Sequence, residues 1–218
     1  MKLTASTDSL EDRVYFELRE MILSKTLVSG AKLVQEDLAE RLGVSRTPLR
    51  SAIARLEREN FVAISARGEA HVAEFGPQQI IDVFEIRAVL EGLICRLLAP
   101  GIERKHTIYL RSLMTSVEDA AMTEDHVTYR EADVEFHTYL TNLVADGVLN
   151  RMLESIQMVM SMALFHGILR SPRETYVEHL AIIDALESHD ADEAERVMIE
   201  HIRKTIDLLK SRQEQTED

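Results

Sequence analysis

Residues 38–57 read "LAERLGVSRTPLRSAIARLE", and the punctuation inside this stretch decides how the first third of the chain is built. A short helix in "QEDLAERLG" (35–43) ends at Gly43, where the turn needs a positive φ that glycine adopts without steric penalty. Ser45 is placed to cap a second helix, "SRTPLRSAIARLEREN" (45–60). Pro48 falls in its first turn, where a missing N–H removes no helical hydrogen bond. The pattern is helix, tight turn, helix.

Working outward, Leu10, Val14, Leu18, Met21 and Ile22 recur at helical spacing and predict a helix over 8–28, stopped by Ser29-Gly30. On the other side, "FVAIS" (61–65) and "AHVAEF" (70–75) have strand-like composition and are joined by the tip "ARGE", which predicts a β-hairpin. "FGPQQ" (75–79) reads as a linker, with Pro77 able to open a helix. From there on the periodicity is helical only, over 79–99, 104–121, 124–145, 148–170, 173–188 and 190–213, before a polar tail, "SRQEQTED", expected to fray. The expected fold is mainly α: a helix-turn-helix and hairpin domain over 1–75, then an all-α six-helix bundle over 76–218.

Composition narrows the function. In 218 residues, 45% are hydrophobic and 29% charged, which is ordinary for a globular protein with a real core. No run approaches the roughly 18 apolar residues of a membrane span, and "MKLTASTDSLEDRVYF" lacks the layout of a signal peptide, so a cytoplasmic location without membrane partners is expected. The single cysteine, Cys95, sits beside Ile94, Leu97 and Leu98 and reads as a buried thiol.

The net charge of −13 argues at first against a nucleic-acid partner, but it is unevenly placed. Residues 1–75 carry 11 basic and 12 acidic side chains, whereas 76–218 carry 14 and 26. Arg41, Arg46, Arg50, Arg55 and Arg58 cluster within eighteen residues of the first part, and local sign governs contact with phosphate. A helix that reads DNA needs an exposed N-terminal end with short polar and Arg side chains that reach base edges and phosphates in the major groove. Ser45, Arg46, Thr47 and Arg50 supply it, and Arg67-Gly68 at the hairpin tip can lay a guanidinium against the flanking minor groove. The alternative is a solvated face on a structural helical hairpin.

With "GVSRTPLR", the following "RLE" and a hairpin ending in "RG", the chain resembles the GntR family of bacterial winged helix-turn-helix regulators over essentially its whole length. The resemblance implies that Arg46, Thr47, Arg50 and Gly68 fall on DNA-contacting positions. "RSAI" and "ENFV" depart from the family pattern, and Glu36 stands where some members carry a phosphate-contacting Arg, so that contact is not carried over.

"EADVEFHTYL" (131–140) raises a different chemistry. Asp133 and His137 are four residues apart, one above the other on a helix, beside the apolar stripe of Ala132, Phe136, Leu140 and Leu143. A helix packed by that stripe carries both inward, at a cost of several kcal/mol unless they are satisfied. His179, flanked by Tyr176, Ile182, Ile183 and Leu186, and His201, flanked by Val197, Met198 and Leu208, also face inward. Their helices form an antiparallel hairpin with the turn near His189-Asp190, which sets the two imidazoles at nearly equal height. One carboxylate and three imidazoles suit a divalent transition metal, Zn²⁺ first, with Ni²⁺ and Mn²⁺ as alternatives. An inward histidine hydrogen-bonded within the core is the competing reading of each one alone.

"DVEFH", "VEH" and "IEH" resemble the three metal-binding segments of the FCD domain, the ligand-binding and dimerisation bundle of the FadR branch of GntR regulators. Arg87 shares a helix face with Val83, Phe84, Leu90 and Ile94. It either pairs with Glu91 one turn on or meets the carboxylate of a bound effector, as the resemblance suggests. His166 is placed to line the same cavity or to be simple core. The expectation is a dimeric transcription regulator, not an enzyme, that binds a palindromic double-stranded operator under control of a small carboxylate metabolite. The alternatives are a regulator that senses the metal itself and a metal-dependent enzyme, the latter opposed because no inward Glu is evident at a matching spacing.

Overall fold

The computed structural model describes residues 9–144 and 170–217, together with Leu149, Leu153 and Ile156. The chain divides into two compact units that part between Phe75 and Gly76.

In the N-terminal unit, α1 (Leu10–Leu23) starts from a capping box, in which Ser9 accepts from the Asp12 N–H and Asp12 accepts from the Ser9 N–H. It ends five residues before the predicted stop. Lys25 takes φ 60°, and the Leu27 N–H returns to the Met21 carbonyl at 2.8 Å, which turns the chain off the helix axis. Helix α2 (Gln35–Leu42) ends at Gly43 with φ 64° and ψ 34°, the left-handed geometry that the turn demands. Helix α3 (Arg46–Arg58) follows with Ser45 in the N-cap position, but the Ser45 side chain makes no capping hydrogen bond, contrary to expectation.

Strands β1 (Val62–Ile64) and β2 (Ala70–Val72) pair antiparallel, with Val62 opposite Val72. The far edge of β2 is also covered. Gly30 and Leu33 donate to the Val72 and Ala70 carbonyls at 3.0 and 2.8 Å, and the Val72 N–H reaches the Ala31 carbonyl at 2.8 Å. That third extended run was legible in sequence only as a helix stop. Val14, Leu18, Leu49, Ile53, Leu56, Phe61 and Val72 are buried where helices and hairpin meet. Each such side chain contributes about 1.5–3 kcal/mol of burial. This is a winged helix-turn-helix.

The C-terminal unit is helical throughout its described residues: α4 (Pro77–Leu98), a 3₁₀ turn (Ala99–Gly101), α5 (Arg104–Ser116), α6 (Glu118–Met122), α7 (His126–Leu143), α8 (Pro172–Glu187) and α9 (Ala191–Glu217). The helix predicted over 104–121 is two, because Val117 leaves helical geometry at φ −119° and ψ 12°. Helix α9 runs on to Glu217, through most of the tail expected to fray. The helix predicted over 148–170, and His166 within it, lie largely outside the described residues.

Helix α9 packs along α4 at close range. A Cβ built on Gly92 would lie 2.6 Å from Ile199, so only glycine lets the two axes approach this far. Phe84, Ile94, Leu110, Phe136, Leu140, Ile182, Leu186 and Met198 fill the centre. Cys95 is fully buried, and burial pushes its thiol pKa up, with Glu91 adding to the effect. Among the described residues no helix is long and apolar enough to cross a membrane.

Candidate metal centre and nucleic-acid interface

Asp133, His137, His179 and His201 come together from α7, α8 and α9, with one donor atom from each within 4.8 Å of the others. His137 Nε2 lies 3.2 Å from His201 Nε2 and 3.4 Å from His179 Nε2. Asp133 Oδ1 lies 3.5 Å from His179 Nε2 and 4.0 Å from His137 Nε2. The three imidazoles are buried, and the Asp133 side chain is 27% exposed at the rim. Helical register explains the α7 pair, while the α8–α9 hairpin brings the His179 and His201 rings to 4.8 Å between centroids.

The other ring nitrogens are all engaged. His137 Nδ1 lies 2.5 Å from Glu91 Oε2, His201 Nδ1 2.8 Å from Glu178 Oε2, and His179 Nδ1 3.0 Å from the Tyr129 hydroxyl. Sequence named Glu91 only as a partner for Arg87 and did not single out Glu178. Glu91 is buried and also accepts from Arg87 Nε at 2.5 Å. Burial pushes its carboxyl up, but Arg87 and His137 outweigh burial and hold it down at about 2. Glu178 accepts from both Nη atoms of Arg170 and from Lys204. There too burial is opposed, by hydrogen bonds from His201, Arg170 and Lys204, and the carboxyl stays well below its usual range.

These partners set the tautomers. An ionised carboxylate only accepts, so His137 and His201 carry their protons on Nδ1 and turn Nε2 lone pairs toward each other at 3.2 Å. Facing acceptors at that distance need a shared proton or a cation between them. Burial lowers the His179 pKa, and the neighbouring imidazoles lower it further; burial also lowers that of His201, against the opposing hydrogen bond to Glu178, so an extra proton is disfavoured on both rings. Donors bonded to one ion at roughly 2.0–2.2 Å lie roughly 3–4.4 Å apart. Four of the six donor separations fall in that range and all lie within 4.8 Å, so the residues present could hold a divalent metal.

Arg87 and Glu91 form the ion pair that sequence held as one of two readings. The inward Glu that sequence found missing is therefore present. Its carboxylate is committed to Arg87 and His137 rather than left free as a base. The faint signal was the i, i+4 spacing of Arg87 and Glu91 on a mostly apolar face; pairing with His137 is invisible without the packing of α4 against α7.

In the N-terminal unit, Ser45, Arg46, Thr47 and Arg50 are all exposed at the start of α3, and Arg67 and Gly68 are exposed at the hairpin tip, where Gly68 takes φ 77°. Arg50 and Arg67 have no ion-pair partner among the described residues, whereas Arg46 is paired with Glu36 of α2. Arg55 is turned away from this surface. It stacks over the Tyr15 ring at 3.6 Å and bonds Glu59 and Asp12, each at 3.2 Å, and so braces α3 against α1. Tyr15, whose hydroxyl donates to Glu59, has its pKa pushed up to about 12 by burial and that carboxylate.

Comparison with known proteins agrees with both units. Residues 10–72 match the bacterial regulatory proteins of the gntR family, and residues 82–204 match the FCD domain. The HTH-type transcriptional repressor RspR of Escherichia coli (strain K12) is 24% identical over 217 residues, 97% of this chain and 94% of that protein. The Nta operon transcriptional regulator of Aminobacter aminovorans is 27% identical over 189 residues, 87% of this chain and 89% of that protein. Among solved structures, E. coli McbR/YncC shares the fold at a TM-score of 0.72 and 24% identity, covering 94% of this chain and 98% of that one. A winged helix-turn-helix followed by an FCD domain, with curated relatives that are transcriptional regulators rather than enzymes, places this chain in the GntR family of bacterial transcriptional regulators.

Proposed function

We propose that the protein regulates transcription as a homodimer, with residues 1–75 binding a palindromic operator and residues 76–218 sensing a small carboxylate metabolite at a metal-dependent pocket. The observation that carries this reading is the convergence of three buried Nε2 atoms whose Nδ1 atoms are all engaged. Asp133, His137, His179 and His201 would hold the ion, with Zn²⁺, Ni²⁺ and Mn²⁺ all compatible with this donor set. When bound, a divalent ion supplies a cross-link between three helices and a positive centre for an anionic oxygen. Glu91 and Glu178 orient His137 and His201 for that task.

Arg87 is the proposed anchor for the effector carboxylate. Its Nε–H is taken by Glu91, and a guanidinium has five N–H donors, so that bond does not exhaust the fork. On DNA, Ser45, Arg46, Thr47 and Arg50 are the proposed major-groove residues, and Arg67 and Gly68 the wing contact. Homodimerisation is supported by a row of exposed apolar side chains on α4, Ile86, Val89, Leu93 and Leu97, each at least 36% exposed. Two-fold proteins also match two-fold operators.

Elemental analysis of purified protein, followed by a thermal-shift screen of carboxylic acids against metal-loaded protein, tests the sensor. A ligand that binds the native state raises the melting temperature in proportion to RT ln(1 + [L]/Kd). The expected result is about one divalent metal per chain and at least one acid that stabilises the loaded form only. A metal-free protein that no added metal stabilises would defeat the reading.

A further inference from the structure

Arg46 opens the recognition helix, yet its charge is already engaged. Its Nη2 is paired with Oε1 of Glu36, which reaches from the first turn of α2. The two side chains are 60% and 72% exposed, so the pair is not a buried strut, and surface pairs of this kind add little to folding stability. Arg50, one turn further along α3, has no such partner among the described residues. When a helix-turn-helix docks, the first helix crosses the DNA backbone, and its N-terminal end offers N–H groups and partial positive charge to phosphate. Here that end carries Glu36 and Asp37, both exposed, with no side-chain cap from Val34. A carboxylate so placed competes with phosphate for the same cation.

We propose that Glu36 is a specificity-determining residue: it holds Arg46 away from the phosphates of non-cognate DNA and yields it only when the operator seats α3 fully in the groove. The inference rests on the placement of Arg46 in the DNA contact proposed above. Non-specific binding is almost entirely counterion release, about 0.9 ion per neutralised phosphate. Freeing Arg46 therefore adds affinity where specificity is least wanted.

The test compares wild type, Glu36→Gln, Arg46→Ala and the double variant as full-length protein. Each is titrated by anisotropy against a mixed-sequence duplex of about 30 base pairs and an operator fragment selected from genomic DNA, over about 50–200 mM salt. Glu36→Gln should bind the mixed duplex roughly fivefold tighter at the low-salt end, with a salt slope steeper by about 0.9. The gain should vanish when Arg46 is also Ala. Arg46→Ala should weaken operator binding. If Arg46→Ala leaves operator binding unchanged, the DNA placement of Arg46 falls and this inference with it. If that variant weakens operator binding but Glu36→Gln matches wild type on the mixed duplex, the inference alone is overturned. A Glu36→Gln gain that persists without Arg46 would mean direct repulsion of phosphate, and would overturn the competition as well.

Discussion

In the N-terminal unit Arg50 and Arg67 stand in solvent without ion-pair partners among the described residues, whereas in the C-terminal unit His179 is fully buried and both its nitrogens face polar atoms. The difference is one of solvent. An exposed guanidinium keeps its water, so its surroundings need only present it. A buried imidazole has lost its water, so each nitrogen must find a partner inside the fold. The surface proposed to face DNA can therefore be altered with little effect on folding, while the buried cluster is tied to the stability of the bundle.

The sharpest way to break this comparison is His179→Ala, which removes a fully buried donor that touches Tyr129, His137 and Phe136. Metal content should fall to background and the unfolding free energy should drop by about 3 kcal/mol or more, the range for large buried deletions. Elemental analysis and denaturant melts read both. Undiminished metal with an unchanged midpoint would show that the ring is neither ligand nor support.

Glu91→Gln comes next. It keeps the side chain's shape but strips the charge that faces both Arg87 and His137. Leaving a buried cation without its partner costs about 3 kcal/mol or more, and loss of an outer partner weakens metal binding about 10–100-fold. Competition against a chelator and a thermal melt should both move. A shift in stability alone would mean that Glu91 serves Arg87 and not His137.

Arg50→Ala should behave in the opposite way. Operator binding should weaken by about 1–3 kcal/mol, while the melting temperature stays at the wild-type value. A lower melting temperature would place Arg50 in the packing of the unit. The smallest effect belongs to Ser45→Ala. An N-cap serine normally contributes about 1 kcal/mol, but this hydroxyl makes no capping bond. The stability change should stay below about 0.5 kcal/mol, and a full capping loss would show that the hydroxyl caps α3 in solution.

The order of elements in the first unit was legible in the primary structure because short-range chemistry dictates it. Gly43 must take a left-handed φ, and the α3 apolar face repeats at helical spacing. Such signals act over a few residues and survive without knowledge of what lies across the core. The inward facing of His137, His179 and His201 was readable for the same reason, since each shares a face with apolar neighbours. Tertiary packing alone decided three other things. The 30–33 run pairs with β2 because a hairpin edge needs partners that no local pattern names. Arg55 leaves the basic surface for Tyr15 because α1 lies within its reach. Glu91 and Glu178 end on His137 and His201 because α4 packs on α7, and α8 on α9. Helical periodicity tells which way a side chain points. What it meets depends on the relative rotation and separation of helices, and here those are set by core volume and by the close approach of α9 at Gly92.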